Sequence, residues 1–210
     1  MMPQFALLAV LWSAWCGLHS LLITPAVTGR IQNRWGRYFA YYRLGYNLFS
    51  LLTLLPLWFY TKSLSSRTGP FWPWPYSLVQ VLMALVGLAA MVAGGRGYDL
   101  SFFLGLRQIR DSRATSLLSA SGPLKTSGIL GIIRHPWYSG GLLLVWAQNM
   151  DRPILIMSLI LSGYFIAGAL LEERKLTRIY GQAYRNYQQE VSMFFPLKWL
   201  KKKLNGRPSP

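Results

Sequence analysis

Long stretches without a charged side chain are the feature that most constrains the fold of this 210-residue chain. A helix that crosses the hydrocarbon core of a bilayer needs about 20 mostly apolar residues. Four stretches of nearly that length lack Asp, Glu, Lys and Arg: 5–23, 44–60, 76–93 and 153–171. A fifth, 136–150, is shorter and reaches only ~22 Å at 1.5 Å per residue. We therefore predict an all-α, polytopic membrane helix bundle with five transmembrane helices in one domain, 1–210.

The basic residues are distributed unevenly around these predicted spans. The chain has 22 Lys and Arg against 6 Asp and Glu, a net charge of +16. Most of the basic residues fall between spans one and two, between spans three and four, and after span five. Because cytoplasmic loops of membrane proteins are enriched in Lys and Arg, this pattern predicts an outer N-terminus and a cytoplasmic C-terminus.

The same distribution argues against nucleic acid as the partner of this basic chain. The basic tail, 197–210, contains Lys201, Lys202 and Lys203, which we expect to lie on anionic lipid headgroups. Cys16 is the only cysteine, so an internal disulfide is impossible. The two histidines and this cysteine have no ligand-like spacing, and we predict no metal site.

Two polar clusters flank the last pair of predicted spans. One contains Arg134, His135 and Pro136 immediately before span four, and the other contains Glu172 and Glu173 at the end of span five. Charged groups at a membrane boundary are costly and tend to mark functional sites. The predicted topology brings both clusters to the cytoplasmic side, with cofactor-binding elements over 94–135 and 171–196.

Further polar residues are predicted on the same side of the membrane. They are His19, Arg43, Asn47, Tyr98 and Asp99. Each has a simpler explanation when taken alone: His19 could bond a neighbouring helix, and Arg43 could extend towards the interface. Glu172 could likewise pair with a lysine three residues later. Their convergence on one side favours a shared site.

The motif set resembles the integral membrane methyltransferase superfamily, which includes isoprenylcysteine carboxyl methyltransferase and phospholipid methyltransferases. The C-terminal resemblance rests on Gly131-x-x-Arg-His-Pro-x-Tyr-x-Gly140, on Glu172-Glu173-x-x-Leu176 and on Tyr180-Gly181-x-x-Tyr184-x-x-Tyr187. Towards the N-terminus, His19-Ser-Leu21, Tyr42-Arg-x-x-Tyr-Asn47 and Leu104-Gly-Leu-Arg-Gln108 resemble a bacterial branch. That branch includes NnrU proteins and methanethiol S-methyltransferases.

The resemblance implies that S-adenosylmethionine binds at the cytoplasmic end of the last helical pair. Arg134 and His135 would meet its carboxylate, and Glu172 or Glu173 its ribose or ammonium. The cofactor-binding residues implied are Gly131, Arg134, His135, Pro136, Tyr138, Gly140, Glu172, Glu173, Tyr184 and Tyr187. Tyr184 and Tyr187 could instead only anchor the surface helix.

The bacterial branch implies a small or lipophilic thiol as methyl acceptor, with catalytic roles for His19, Arg43 and Asn47. The thiolate is the nucleophilic form, so a cationic site or a base would favour the reaction. O-methylation of an isoprenylcysteine carboxylate and N-methylation of a phospholipid are alternatives. A non-catalytic NnrU-like membrane protein and a nicotinamide-dependent reductase are alternatives from other classes. The resemblance further implies the bacterial inner membrane, with the active site facing the cytoplasm.

Overall fold

The computed structural model describes residues 2–66, 72–96, 101, 104–110 and 123–206. Tyr98 and Asp99, predicted to join the polar cluster, lie outside the described residues. Nine α-helices and two 3₁₀ helices account for most of the described part, whose only β pairing is an isolated bridge between Ile133 and Ser192. The predicted all-α class is therefore confirmed.

Two compact units make up the chain. The first contains Met1–Thr68, Tyr98–Ala120 and Met150–Ile160, and the second contains Gly69–Gly97, Ser121–Asn149 and Leu161–Pro210. Helix α7, Arg152–Tyr180, passes from the first unit into the second.

The first unit is built around two long helices joined by hydrogen bonds between their side chains. Its helices are α1 (Met2–Leu22), α2 (Pro25–Trp35), a 3₁₀ helix (Gly36–Tyr41), α3 (Tyr42–Ser63), α5 (Leu106–Arg110) and the start of α7. Trp12 Nε1 donates to Thr61 Oγ1 at 3.0 Å, and Trp15 Nε1 donates to Thr53 Oγ1 at 3.1 Å. These bonds satisfy polar groups on apolar helices and fix the register of α1 against α3.

Short-range signals in the sequence set the ends of several helices in this unit. Thr24 accepts from the amide of Val27 at 3.4 Å and caps α2, whose first residue is Pro25. Asp151 accepts from the amide of Ile154 at 3.3 Å and caps α7. The same carboxylate accepts from Ser65 Oγ at 2.6 Å. Asp151 is therefore the N-cap of α7.

The second unit is organised by a close pair of apolar helices and a C-terminal helical segment. It contains α4 (Tyr76–Gly95), a 3₁₀ helix (Gly128–Gly131), α6 (Pro136–Trp146), the rest of α7, α8 (Gln182–Glu190) and α9 (Leu197–Leu204). Gly87 and Gly140 bring α4 against α6, because a Cβ on Gly140 would lie only 2.5 Å from Gly87 O. Gln80 Nε2 donates to Ala147 O at 2.8 Å near the other end of the pair.

Within the described part of the chain, three helices are long and apolar enough to cross a membrane: α4, α7, and the part of α1 from Pro3 to Leu22. They match three of the five predicted spans, so this is a helical membrane-type protein. Of the other two, α3 has 22 residues but interrupts its apolar run with polar side chains. Helix α6 has 11 residues, or ~17 Å. The five-span arrangement and the orientation of the termini stay predictions.

Candidate functional site

The Arg-His-Pro motif is held by a short strand-like contact at the start of α6. The amide of Arg134 donates to Ser192 O at 2.9 Å, and the amide of His135 donates to Met193 O at 3.1 Å. Pro136 then begins α6, where a missing N–H costs nothing. The backbone thereby fixes where the Arg134 and His135 side chains start, next to the segment that follows α8.

Glu173 on α7 is the centre of the site. Arg134 donates to both of its carboxylate oxygens, from Nε at 2.7 Å and from Nη2 at 3.0 Å. This two-point geometry is the strongest form of an arginine–carboxylate pair. Both side chains are buried, with 8% of Arg134 and 9% of Glu173 exposed.

Three more side chains bond the same carboxylate. His135 Nε2 lies 2.9 Å from Glu173 Oε1, and Tyr184 OH donates to that oxygen at 3.1 Å. Gln188 Nε2 donates to Oε2. A carboxylate only accepts, so His135 carries its proton on Nε2. We call these five residues, Arg134, His135, Glu173, Tyr184 and Gln188, the Glu173 cluster.

The cluster also anchors the backbone that follows α8. Arg134 Nη1 donates to Gln188 O at 3.1 Å and to Val191 O. One guanidinium therefore neutralises a buried carboxylate and also bonds carbonyls at the end of α8, where helical amides are no longer available as donors. Arg134 thus connects α6, α7 and α8.

The two adjacent glutamates have different surroundings. Glu173 is buried, whereas the side chain of Glu172 is 36% exposed and lies 3.7 Å from His135 Nδ1. Neighbouring helix positions point about 100° apart, which accounts for the difference. Glu173 is therefore engaged within the protein, and Glu172 is the acid that presents a carboxylate to solvent.

Burial raises the pKa of Tyr184, and the charge of the neighbouring Glu173 carboxylate raises it further. Its hydroxyl consequently stays protonated and remains a donor to Glu173 Oε1. Tyr187 is also buried and donates to Leu130 O at 2.6 Å. The two rings meet edge to face with centroids 5.7 Å apart. Both tyrosines that the resemblance implied thus point into the protein.

The remaining implied cofactor residues lie around the start of α6. Pro136 and Gly140 are buried and contact α4, where the Cβ that Gly94 lacks would lie 2.9 Å from Pro136. The Tyr138 ring packs edge to face against His135 and Phe165. Gly131 ends the 3₁₀ helix and is partly exposed. Pro136, Tyr138 and Gly140 therefore support the position of the Arg-His-Pro motif.

A cavity of about 420 Å³ opens beside the Glu173 cluster. This volume is within the range of about 300–1,000 Å³ that is typical of ligand pockets. Most of its lining recurs at helical spacing along α7, and the lining residues are Leu170, Glu173, Arg174, Thr177, Arg178 and Gln188. Arg174 and Arg178, both exposed, give the cavity a cationic wall.

The residues with predicted catalytic roles lie in the first unit. His19 bonds α3 through both ring nitrogens, with Nε2 at 2.8 Å from Tyr46 OH and Nδ1 at 3.1 Å from Ser50 Oγ. Arg43 is buried at the start of α3, and Asn47 lies one turn later, half-buried. Gly105, with a φ of +90°, lies against the backbone of Arg43 and Leu44, so the Leu-Gly-Leu-Arg-Gln motif packs beside Arg43.

Sequence reasoning missed three residues of the site: Arg174, Arg178 and Gln188. Gln188 could have been found, because it lies one helical turn after Tyr184 on the same side of α8. Arg174 and Arg178 lie one turn apart on α7, in a run interpreted only as basic. Among the described residues, no His, Cys, Asp and Glu side chains form a group that could hold a metal ion.

The fold and the site therefore define a helical membrane-type protein with a buried ionic cluster beside a cationic cavity. Comparison with known proteins shows what the chain is similar to. The chain is 40% identical over 76 residues to methanethiol S-methyltransferase from Pseudomonas deceptionensis, covering 36% of this chain and 29% of that protein. It is 27% identical over 198 residues to methanethiol S-methyltransferase 2 from Bradyrhizobium diazoefficiens, covering 91% and 73%.

A third relative, methanethiol S-methyltransferase from a Pseudomonas strain, is 37% identical over 73 residues, which is 34% of this chain and 28% of that protein. The chain thus matches under a third of the length of two of these three relatives. No family model and no solved structure matches it. The chain is similar in sequence to proteins named methanethiol S-methyltransferase, in agreement with the branch that its motifs resemble.

Proposed function

We propose that this chain is an S-adenosylmethionine-dependent membrane methyltransferase whose methyl acceptor is a small thiol. The observation that carries the proposal is the Glu173 cluster. It joins the Arg-His-Pro and Glu-Glu motifs beside a cavity with a cationic wall. The similarity to proteins named methanethiol S-methyltransferase supports a methyltransferase and a thiol acceptor.

The chemistry of the cavity suits the methyl donor. S-adenosylmethionine would supply a methyl group on a positively charged sulfonium, together with a carboxylate, an ammonium and a ribose diol. Arg174 and Arg178 offer guanidinium groups to a carboxylate. Glu172 is exposed but does not line this cavity, so its contact with the ammonium or the diol stays a prediction. The cavity volume is also adequate for a ligand of this class.

Within the predicted cofactor set, we assign different roles to different residues. Arg134, His135 and Tyr184 act as positioning residues, because they hold Glu173 and Gln188, which line the cavity. Tyr187 fixes the 3₁₀ helix before Arg134 through Leu130 O. Gly131, Pro136, Tyr138 and Gly140 complete the support around the start of α6.

On the acceptor side we assign the predicted roles to His19, Arg43 and Asn47. A buried guanidinium such as that of Arg43 favours a thiolate over a thiol, and the thiolate is the attacking form. We expect His19→Ala to lower turnover while leaving the affinity for S-adenosylhomocysteine nearly unchanged. Unchanged turnover would remove His19 from the reaction.

Equilibrium binding of S-adenosylhomocysteine to the purified protein in lipid nanodiscs tests the donor site. We expect saturable binding that Arg178→Gln weakens about tenfold, because a hydrogen bond to a charged group contributes about 1.5–3 kcal/mol. Arg185→Gln is the matched control, since Arg185 is an exposed arginine on α8 outside the cavity lining. It should bind like the wild type.

Two results would contradict this assignment. Failure of the folded wild type to bind S-adenosylhomocysteine would reject the methyl donor. Wild-type affinity in Arg178→Gln would instead move the donor away from the cationic wall of this cavity.

A further inference from the structure

The short helix α9, Leu197–Leu204, has two chemically different sides. Leu197, Leu200 and Leu204 are 68%, 44% and 86% exposed. At about 100° per residue these three side chains fall within one narrow arc of the helix. Exposed lysines border that arc at positions 201 and 203, and Lys203 Nζ lies 4.8 Å from the centre of the Trp199 ring. An exposed apolar stripe between cations is the pattern of helices that lie in a membrane interface.

The segment that leads into α9 is hydrogen-bonded to the start of α6. His135 N donates to Met193 O at 3.1 Å, and Ser139 Oγ donates to Phe194 O at 2.8 Å. The next side chain, Phe195, is 55% exposed, and α9 begins two residues later. The apolar stripe therefore starts close to the Arg-His-Pro motif.

Helix α9 is also bonded to the backbone that the Glu173 cluster uses. Lys198 Nζ donates to Gln188 O at 2.7 Å and to Gln189 O at 2.9 Å, while its amide donates to Ser192 Oγ at 2.9 Å. Gln188 O is the same carbonyl that accepts from Arg134 Nη1. Lys198 and Arg134 thus hold the end of α8 from two sides.

We infer that α9 binds an anionic lipid surface and that this binding orders the segment carrying Gln188 and Val191. The leucine stripe enters the headgroup region, and the bordering lysines meet lipid phosphates. Because Lys198 on the docked helix fixes Gln188 O, docking restrains the backbone on which Arg134 also depends. Binding to the membrane surface therefore helps to stabilise the Glu173 cluster.

Charge and geometry favour anionic lipid as the partner. A basic residue near an anionic leaflet contributes about 1 kcal/mol, or about fivefold in the docking equilibrium. Lys202 lies 3.7 Å from Glu190 and Lys198 is bonded to α8, so Lys201 and Lys203 are the lysines best placed to meet lipid. Losing both should weaken docking about thirtyfold.

Hydrogen exchange of the full chain in nanodiscs tests the inference, with phosphatidylcholine alone compared with a mixture containing phosphatidylglycerol. We expect slower exchange in the anionic discs both for α9 and for the segment 188–193. In the double variant Lys201→Gln/Lys203→Gln, the factor by which anionic lipid slows exchange should fall about thirtyfold. The matched control, Arg30→Gln/Arg34→Gln, removes two exposed charges from α2 and should keep the full effect.

The outcomes separate the two parts of the inference. Two results would overturn lipid binding by α9. One is an equal rate of hydrogen exchange of α9 in both kinds of disc, and the other is an undiminished slowing by anionic lipid in the lysine variant. If anionic lipid slows hydrogen exchange in α9 but not in the segment 188–193, the coupling of α9 to the Glu173 cluster would be overturned. If the lysine variant fails to fold, Leu204→Gln replaces it, because it makes the apolar stripe more polar. It should likewise reduce the slowing of exchange by anionic lipid. Hydrogen exchange is measured without a methyl donor, so its result does not depend on whether the proposed reaction is correct.

Discussion

Glu173 has the largest structural role of any single residue in the site. Its carboxylate accepts from four side chains that come from two other parts of the chain, the Arg-His-Pro motif and α8: Arg134, His135, Tyr184 and Gln188. The arginine is buried with it, so neither charge can turn to water when the other is removed. Removing one partner of such an ion pair strongly lowers the free energy of unfolding, because the charge of the other partner stays buried without compensation.

We predict that Glu173→Gln lowers the free energy of unfolding by about 3 kcal/mol, because Arg134 loses its counter-charge. The matched control is Glu172→Gln, whose exposed position should limit the loss to about 0.5 kcal/mol. Unfolding by denaturant in mixed micelles would measure both values. Equal stability of the two variants would mean that the Arg134–Glu173 pair does not hold the site together.

Tyr184 should give the stability of the protein a distinct dependence on pH. Burial and the nearby Glu173 carboxylate raise its pKa above the ordinary value of 10.0. Above about pH 10 the unfolded chain loses this proton while the folded chain keeps it. The stability contributed by Tyr184 is therefore complete below pH 10 and declines as the pH rises further.

The comparison of wild type with Tyr184→Phe isolates this contribution, because phenylalanine has no proton to lose. We expect the wild type to be the more stable of the two near about pH 9, with a difference that narrows above about pH 10. Unfolding curves recorded across this range would show it. Parallel pH profiles would contradict a raised pKa for Tyr184.

The sequence predicted which residues belong to the site better than it predicted which of them contact each other. The motifs identified Arg134, His135 and both glutamates, because charged groups beside apolar spans are unusual. The sequence did not show that Arg134 pairs with Glu173, 39 positions away, since a guanidinium meets a ligand carboxylate and a protein carboxylate in the same way. Which of the two glutamates is buried depends on the rotation of α7, which needs the fold.

At the scale of elements, the contact between α4 and α6 depends on glycine. A Cβ on Gly140 would lie 2.5 Å from Gly87 O and 2.5 Å from Met91 Cγ, too close for any side chain. Small residues allow apolar helices to approach each other in membranes, where packing replaces the hydrophobic effect. This contact positions the start of α6 and with it the Arg-His-Pro motif.

We predict that Gly140→Ala destabilises the protein by about 1–3 kcal/mol, because α4 and α6 must separate to admit the methyl group. Gly163→Ala on α7 is the matched control, since a Cβ there meets no described atom within 4 Å. It should leave stability unchanged or raise it, as alanine favours helix over glycine. A harmless Gly140→Ala would mean that the helix pair is not closely packed.

Helices were predicted well where the apolar runs were long. The stretches 5–23, 76–93 and 153–171 correspond to α1, α4 and α7, and α7 continues past the apolar run to Tyr180. The amphipathic helix α2 was not predicted, although Val27, Ile31 and Trp35 recur at helical spacing along it. The stretch 136–150 gave a helix that ends at Trp146, four residues early.

At the scale of the whole molecule, the described residues contain three helices that are long and apolar enough to cross a membrane, together with the strongly basic helix α9. A small thiol partitions into apolar surroundings, so a membrane protein is a reasonable place to methylate one. The resemblance to methanethiol S-methyltransferases agrees with this arrangement. The alternative acceptors, a prenylcysteine carboxylate and a phospholipid amine, differ from a thiol in the product that they form.

The most direct test is therefore to supply the purified, reconstituted protein with S-adenosylmethionine and each acceptor in turn, and to measure the methylated product. We predict that methanethiol gives dimethyl sulfide with saturation kinetics, and that Glu173→Gln, assayed below its unfolding transition, loses most of this activity. Methylation of only the carboxylate or the amine would contradict the thiol acceptor. Folded protein that methylates none of the three, and binds no S-adenosylhomocysteine, would contradict the account as a whole.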